Sequence, residues 1–329
     1  LISVGKLPDS LRGEPLNVDD IRINNIMVKV SSDQLDFKPI QLFPLLESKS
    51  GRVKLEMPDD YFRINSRFEF IDCQSNICNQ NKSNLFTAAL KEQNFAFPAV
   101  MVAGNPTNKK AFDEGYFVLD SKNQLYHIKM VKGKPFCVNA HIPQSLDIVF
   151  MNISEMTLRE FYGLIFTRQG DVYLISYDNY KLIKLPLDNY NIQKQNFLMI
   201  GDQFYRTISL TGSNNIHTIV TDRNYKVVDR YEESWLGNNE LMAGTVSTWL
   251  FPFTLRLNDS SSSFANFYFK LSGFQSLWLT LIFLISTYFI LRHRKISLKK
   301  GWIDLIIVLL SGIFGFIAVL LVKNIDNTK

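Results

Sequence analysis

Two groups of acids have the residue types and spacing that chemistry would need. Glu56, Asp59 and Asp60 lie in EMPDDYFR, and Asp113 and Glu114 lie in FDEGY. Paired carboxylates serve as general acid and base when their surroundings separate their pKa values. Each group, however, adjoins Pro or Gly, where carboxylates commonly shape turns through Asx-type hydrogen bonds. Arg63 and Arg67 follow the first group closely enough to neutralise it. Both groups are read as turn-forming, and no catalytic, cofactor-binding or metal-ligating residue is assigned.

Other chemical signatures are missing. Neither GxxxxGKS/T nor GxGxxG occurs, so no phosphate-cradling loop is expected. HExxH and GxSxG do not occur either. His127, His141, His217 and His293 have no metal-ligand spacing. Cys73, Cys78 and Cys137 are too few for a disulfide framework. Cys73 and Cys78 read as buried or free thiols, with a disulfide between them in an oxidising compartment as the alternative. Cys137, at a strand end, reads as core. No cofactor is implied.

The elements that carry these residues read as mainly β over residues 1–248. YFVLDSKNQLYHIKMVKGKPFCV (116–138), LIFTRQGDVYLISYDNYKLIKLPL (164–187) and TISLTGSNNIHTIVTDRNYKVVDRY (207–231) share one pattern. In each, Gly, Asn, Asp or Ser turns separate short β-branched and aromatic runs, a hairpin signature. Ile183, Leu185 and Leu187 alternate with Lys184 and Pro186, giving one buried face. Tyr126, Tyr173 and His217 recur at corresponding positions, a spacing in the range of propeller blades. Upstream, 51–74 predicts two strands around a Pro-Asp-Asp turn, 81–95 a helix, and 95–107 a buried strand. Residues 17–26 predict a short helix capped by Asn17. The expected fold class is a β-rich α+β domain, a β-meander or partial propeller-like stack, followed by two transmembrane helices.

The membrane expectation rests on LSGFQSLWLTLIFLISTYFIL (271–291) and LIIVLLSGIFGFIAVLLV (305–322), both without a charge. About twenty apolar helical residues span a hydrocarbon core near 30 Å. The second span is drawn as 302–322, since Trp302, Ile303 and Asp304 extend it at the interface. Between the two runs, the connector 292–301 holds Arg292, Arg294, Lys295, Lys299 and Lys300 and no acid. Short Lys/Arg-rich loops stay cytoplasmic. That places the β-rich domain, the juxtamembrane segment 249–270 and the tail 323–329 on the other side. SGIFG, Ser311 to Gly315, has the small-residue spacing of closely packed helices. Setting the connector aside leaves 31 basic residues against 31 acidic ones, which argues against a nucleic-acid partner.

LPDSLRGEPL (7–16), LFPLLESKSGRVKLEMPDDYFRI (42–64), RFEFIDCQSN (67–76) and FAFPAVMVAGNPTNKKAFDEGYFVLD (95–120) carry a resemblance. They resemble a domain-of-unknown-function family of bacterial inner-membrane proteins often encoded beside ABC transporter subunits. The resemblance implies a further anchor before Leu1, a cytoplasmic N-terminus and no established catalytic residues. The expected function is a non-enzymatic accessory component of an ABC-type transport system. Its expected partners are the bilayer and the permease and ATPase subunits, and its large domain is expected to face the periplasm. A membrane-tethered envelope enzyme using an acidic cluster, and an envelope sensor or tether, are the alternatives.

Overall fold

The computed structural model describes residues 8–35, 40–51, 54–236, 242–258, 266–271 and 273–322. The chain divides into two compact units, Leu1–Ser234 and Trp235–Lys329. The expected tail 323–329 and the serine run 259–265 lie outside the described residues.

The first unit opens with a small hairpin, β1 (Ser10–Leu11) and β2 (Glu14–Pro15), then α1 (Val18–Ile23) and β3 (Ile26–Val30). Asn17 caps α1 as expected, its side chain accepting from Asp19 N at 3.0 Å. The helix is shorter than 17–26 because Ile26 already belongs to a strand. Four antiparallel sheets follow. The first joins β4 (Phe43–Pro44), β5 (Asp60–Ile64) and β6 (Phe68–Asp72), and α2 (Gln80–Glu92) packs on β6. The second runs β7 (Met101–Gly104), β8 (Tyr116–Leu119), β9 (Leu125–Val131) and β10 (Lys134–Asn139). The third runs β11 (Ile148–Ile153), β12 (Phe161–Thr167), β13 (Val172–Ser176) and β14 (Leu182–Lys184). The fourth runs β15 (Asn196–Gly201), β16 (Tyr205–Thr211), β17 (Asn215–Asp222) and β18 (Val227–Ser234), with β3 added beside β15.

The three predicted hairpin units are therefore the last three strands of the second, third and fourth sheets. Their turns use one device. Asp120 Oδ1 accepts from Lys122 N and Gln124 N at 2.8 Å each, and Asp222 Oδ1 does the same for Asn224 N and Lys226 N. In the third sheet Thr167 Oγ1 takes the place of the carboxylate, accepting from Asp171 N at 3.1 Å. The 51–74 expectation is corrected. Pro58, Asp59 and Asp60 do not join two strands; β5 begins at Asp60 and its free side is taken by Phe43 and Pro44. The hairpin turn lies instead between Ile64 and Phe68.

Strand alternation explains how the sheets stack. On β8, Tyr116 and Val118 enter a core with Phe62, Phe68 and Phe86 of the first sheet and α2. Phe117 and Leu119, one residue out of phase, enter a second core with Met151, Ile165 and Ile175 of the third sheet. On β12, Leu164 and Phe166 face a third core with Phe197, Met199 and Ile208 of the fourth sheet. The two middle sheets bury both faces, so β8 and β12 are near-continuous apolar runs. Each fully buried Phe contributes roughly 1.5–3 kcal/mol.

The second unit holds α3 (Met242–Leu250), the hairpin β19 (Phe253–Asn258) with β20 (Asn266–Leu271), α4 (Phe274–His293), α5 (Leu298–Ser311) and α6 (Ile313–Leu321). Asn266–Leu271, immediately before the first apolar run, is thus a strand. α4 is long and apolar enough to cross a membrane. The second expected span, 302–322, is not one helix. It breaks at Gly312, whose φ of 59° and ψ of −126° suit a residue without Cβ. An added Cβ there would sit 3.2 Å from Leu250 O and 3.3 Å from Pro252 Cδ. α5 and α6 measure about 21 and 14 Å at 1.5 Å per residue, each short of the roughly 30 Å core.

α4 is packed in reverse of a soluble helix. Its large apolar side chains point outward, with Phe274 82%, Trp278 66% and Phe289 62% exposed. Its buried residues are Ser276, Thr280, Thr287 and Leu291. Three hydroxyls are satisfied within their own helix, Ser276 by Gly273 O at 2.7 Å, Ser286 by Ile282 O and Thr287 by Phe283 O at 2.8 Å.

Candidate functional site

The two acidic groups part company in the structure. In the first, Asp60 pairs with Lys82 at 2.7 Å, and Arg63 and Arg67 both turn to Glu69, at 2.7 and 3.3 Å. The neutralisation expected from Arg63 and Arg67 is therefore corrected: α2 supplies the cation, and the two arginines serve β6. The pair of guanidinium groups, Arg63 foremost, holds the Glu69 carboxyl below its ordinary range. Cys73 and Cys78 are both free thiols, which answers the pairing question.

The second group is buried rather than turn-forming. Asp113 and Glu114 are 4% and 5% exposed, and they lead directly into β8. Gly115 makes that approach possible. Its φ is +69°, and a Cβ would lie 2.1 Å from Ile128 O, so the chain presses flat against β9 only because the residue is Gly. The side chains of Asp113 and Glu114 then serve different partners.

Asp113 Oδ1 accepts from Lys110 Nζ at 2.8 Å, and its Oδ2 accepts from Ser48 Oγ at 2.7 Å. Lys110 Nζ also donates to Asn105 O at 2.8 Å and to Glu155 Oε1 at 2.6 Å. All three ammonium protons are used. Glu155 Oε1 additionally receives Glu114 N at 2.9 Å, while its Oε2 is buried with no partner. Glu114 forms a short ion pair with Lys129. The cluster thus sets two lysines against three carboxyls. Burial, opposed by Lys110, raises the pKa of Glu155, consistent with relief of the surplus negative charge.

Next to it, His127 is fully buried, stacked on Phe117 at 4.4 Å between ring centroids. Its Nε2 lies 2.5 Å from Glu114 O and its Nδ1 3.0 Å from Tyr180 OH. A carbonyl only accepts, so Nε2 carries the proton; in the neutral ring Nδ1 then accepts from the tyrosine. Burial, reinforced by Lys129 and opposed by the Glu114 carbonyl, holds the His127 pKa down to about 3. Tyr162, Tyr177 and Tyr180 close the group, their rings 3.9 Å (Tyr162–Tyr177) and 5.5 Å (Tyr162–Tyr180) apart. Burial, with Glu114 nearby, raises all three phenols above their ordinary pKa.

This arrangement has the composition of an active site but not its access. Lys110, Asp113 and Glu155 side chains are 4%, 1% and 1% exposed. Lys110 has no free proton, and His127 has both nitrogens occupied. A cleft of about 500 Å³ beside the β12–β13 turn is lined by Arg168, Tyr190 and Asn191 and by none of these groups. Among the described residues no set of His, Cys, Asp and Glu is arranged to hold a metal. Chemically the cluster clamps the loop before β8 to the loop after β11, joining the second and third sheets. Reading along the sequence finds Asp113 and Glu114 but misses Lys110, Glu155, Ser48 and His127. Glu155 lies 45 residues from Lys110 and Ser48 65 residues from Asp113, so no local pattern marks them.

No curated protein matches the chain. Among solved structures, the one titled "Structure of Dos1 propeller" is similar at 14% identity with a TM-score of 0.32. That likeness covers 56% of this chain, and the chain spans 46% of that one. Residues 1–221 match the model of the domain of unknown function DUF4857. With about two thirds of its length inside that match, the chain belongs to the DUF4857 family.

Proposed function

We propose that this protein is a membrane-anchored, non-enzymatic accessory component of an ABC-type transport system. On this reading α4 crosses the bilayer, α5 and α6 form a broken second passage, and the stacked β-sheets stand on the extracytoplasmic side to contact a partner. The reversed packing of α4 carries the membrane part. A helix that buries Ser and Thr while presenting Trp and Phe outward is costly in water and favourable in lipid, where small residues let helices approach. The basic corner between α4 and α5 supports the orientation, because such loops are retained in the cytoplasm. The sealed state of the Lys110–Asp113–Glu155 cluster supports a non-enzymatic role: these titratable side chains are spent on holding sheets together. The transport partner follows from the gene context that the family resemblance brings.

Recovery of the full chain from native membranes in mild detergent tests the reading. A permease and an ATPase are expected to travel with it. Recovery of the protein alone would overturn the transport role. Impermeant thiol labelling of Ser297→Cys in intact cells, with the native thiols Cys73 and Cys78 replaced by Ser, tests the orientation, and labelling from outside would reverse it.

A further inference from the structure

The corner between α4 and α5 is more than a topology signal. α4 ends with Ile296 N bonded to Leu291 O at 3.0 Å and Lys295 N bonded to Arg292 O at 3.0 Å. This is the closing geometry that usually places Gly in the left-handed conformation just past a helix. Here that position is Lys295, at φ 57°. A side chain is kept where none would be conformationally easier. Arg294 is committed to the fold, donating to Val319 O at 2.9 Å and Leu320 O at 3.1 Å at the end of α6. Arg292 and Lys295 are not. Among the described residues neither forms an ion pair with a carboxylate.

Both instead line a cleft of about 350 Å³ with Tyr288, Ser297, Ile296 and Leu298. No acid lines it. Arg292 Nη1 lies 3.4 Å from Tyr288 OH, and Ser297 makes no side-chain capping bond to α5. The cleft therefore gathers two unneutralised cations and two hydroxyls above an apolar floor, at the end of a helix whose outer face suits lipid. An anion with an attached hydrocarbon chain matches each part: its charge meets the cations, its oxygens the hydroxyls, and its first methylenes the floor.

We propose that this cleft binds the phosphate of an anionic phospholipid headgroup, with Arg292 and Lys295 as its cationic ligands. The proposal rests on the membrane reading of α4 and adds to it a defined lipid site on the side where the basic corner lies. The same phosphate chemistry is carried by free inorganic phosphate, and the test separates the two sources.

The full chain in mild detergent is titrated with phosphatidylglycerol or phosphatidylcholine, and bound lipid is counted by native mass spectrometry. Phosphatidylglycerol is expected to be retained in preference to phosphatidylcholine. Arg292→Ala and Lys295→Gly should each weaken that retention about fivefold, the effect of one cation at a charged lipid surface. Lys295→Gly is the decisive variant, because Gly is unstrained at φ 57° and the protein should melt no lower than the parent. Equal retention of the two lipids, or undiminished preference in Lys295→Gly, overturns the proposal. Displacement of the lipid by inorganic phosphate at equal concentration overturns the lipid assignment. Flotation of the same protein on phosphatidylcholine vesicles reads the membrane anchor separately. A chain that floats without a headgroup preference retains its anchor and loses this site; a chain that stays in solution loses the anchor itself.

Discussion

Acid is expected to destabilise the first unit through His127. The ring is fully buried and neutral, bonded on both nitrogens, with a pKa held down to about 3 against an ordinary value of 6.5. Below 6.5 the unfolded chain takes up a proton that the folded chain refuses. Stability is therefore lost as pH falls through the unfolded value, and the loss continues until the folded pKa is reached. The slope approaches about 1.4 kcal/mol per pH unit. At about pH 4.5, two units below the unfolded pKa, the penalty is roughly 2–3 kcal/mol. His127→Gln tests this. Its amide donates to Glu114 O and accepts from Tyr180 as the imidazole does, and it does not titrate. Urea unfolding of parent and variant in detergent, followed by tyrosine fluorescence at neutral pH and at about pH 4.5, gives the comparison. Carboxylates that titrate over the same range act on both proteins and cancel. The parent should lose about 2–3 kcal/mol more than the variant over that interval. Equal losses would refute both the neutral state of His127 and its sealed surroundings.

Further outcomes follow from the same geometry. Lys110→Met leaves Asp113 and Glu155 buried without their cation and should cost about 3–5 kcal/mol in urea unfolding; a loss under about 1 kcal/mol would mean that water reaches the cluster. Gly115→Ala places a methyl against Ile128 O at a positive φ and should cost at least about 2 kcal/mol, a value that a thermal melt will read directly. With maleimide at neutral pH, exposed Cys73 should label in the folded protein. Cys137, whose thiol burial pushes up to about 12, should label only after unfolding, and early labelling of Cys137 would contradict its packing against the first core.

Much of the β-rich unit was legible because hairpins are local. Asp120, Thr167 and Asp222 each organise a turn within four residues, so the strands on either side announce themselves together. The extra strand β3 was not legible. It pairs with β15, Ile26 opposite Gly201 and Val30 opposite Phe197, and nothing near residue 26 signals a partner so distant. The acids were visible, but their roles were not. Asp113 beside Glu114 and Gly115 looks like a turn until Ser48 and Glu155 arrive from other parts of the chain. Arg63 and Arg67 looked like partners for the first acids, yet strand pairing sets Arg63 opposite Glu69, and Arg67 in the adjoining turn reaches the same carboxylate.

The apolar runs and the basic connector between them are properties of composition, and the sequence alone determined both. It also determined the alternating runs that make strands and the polar residues that turn them. Only the tertiary structure decided that α4 faces its hydroxyls inward, because a helix apolar all round has no preferred face until neighbours pack against it. Only the tertiary structure broke the second run at Gly312, because hydropathy records how greasy a residue is and not whether its backbone turns to a positive φ. The ionic cluster belongs wholly to packing: carboxylates and lysines become a clamp when burial removes the water that would otherwise keep them apart.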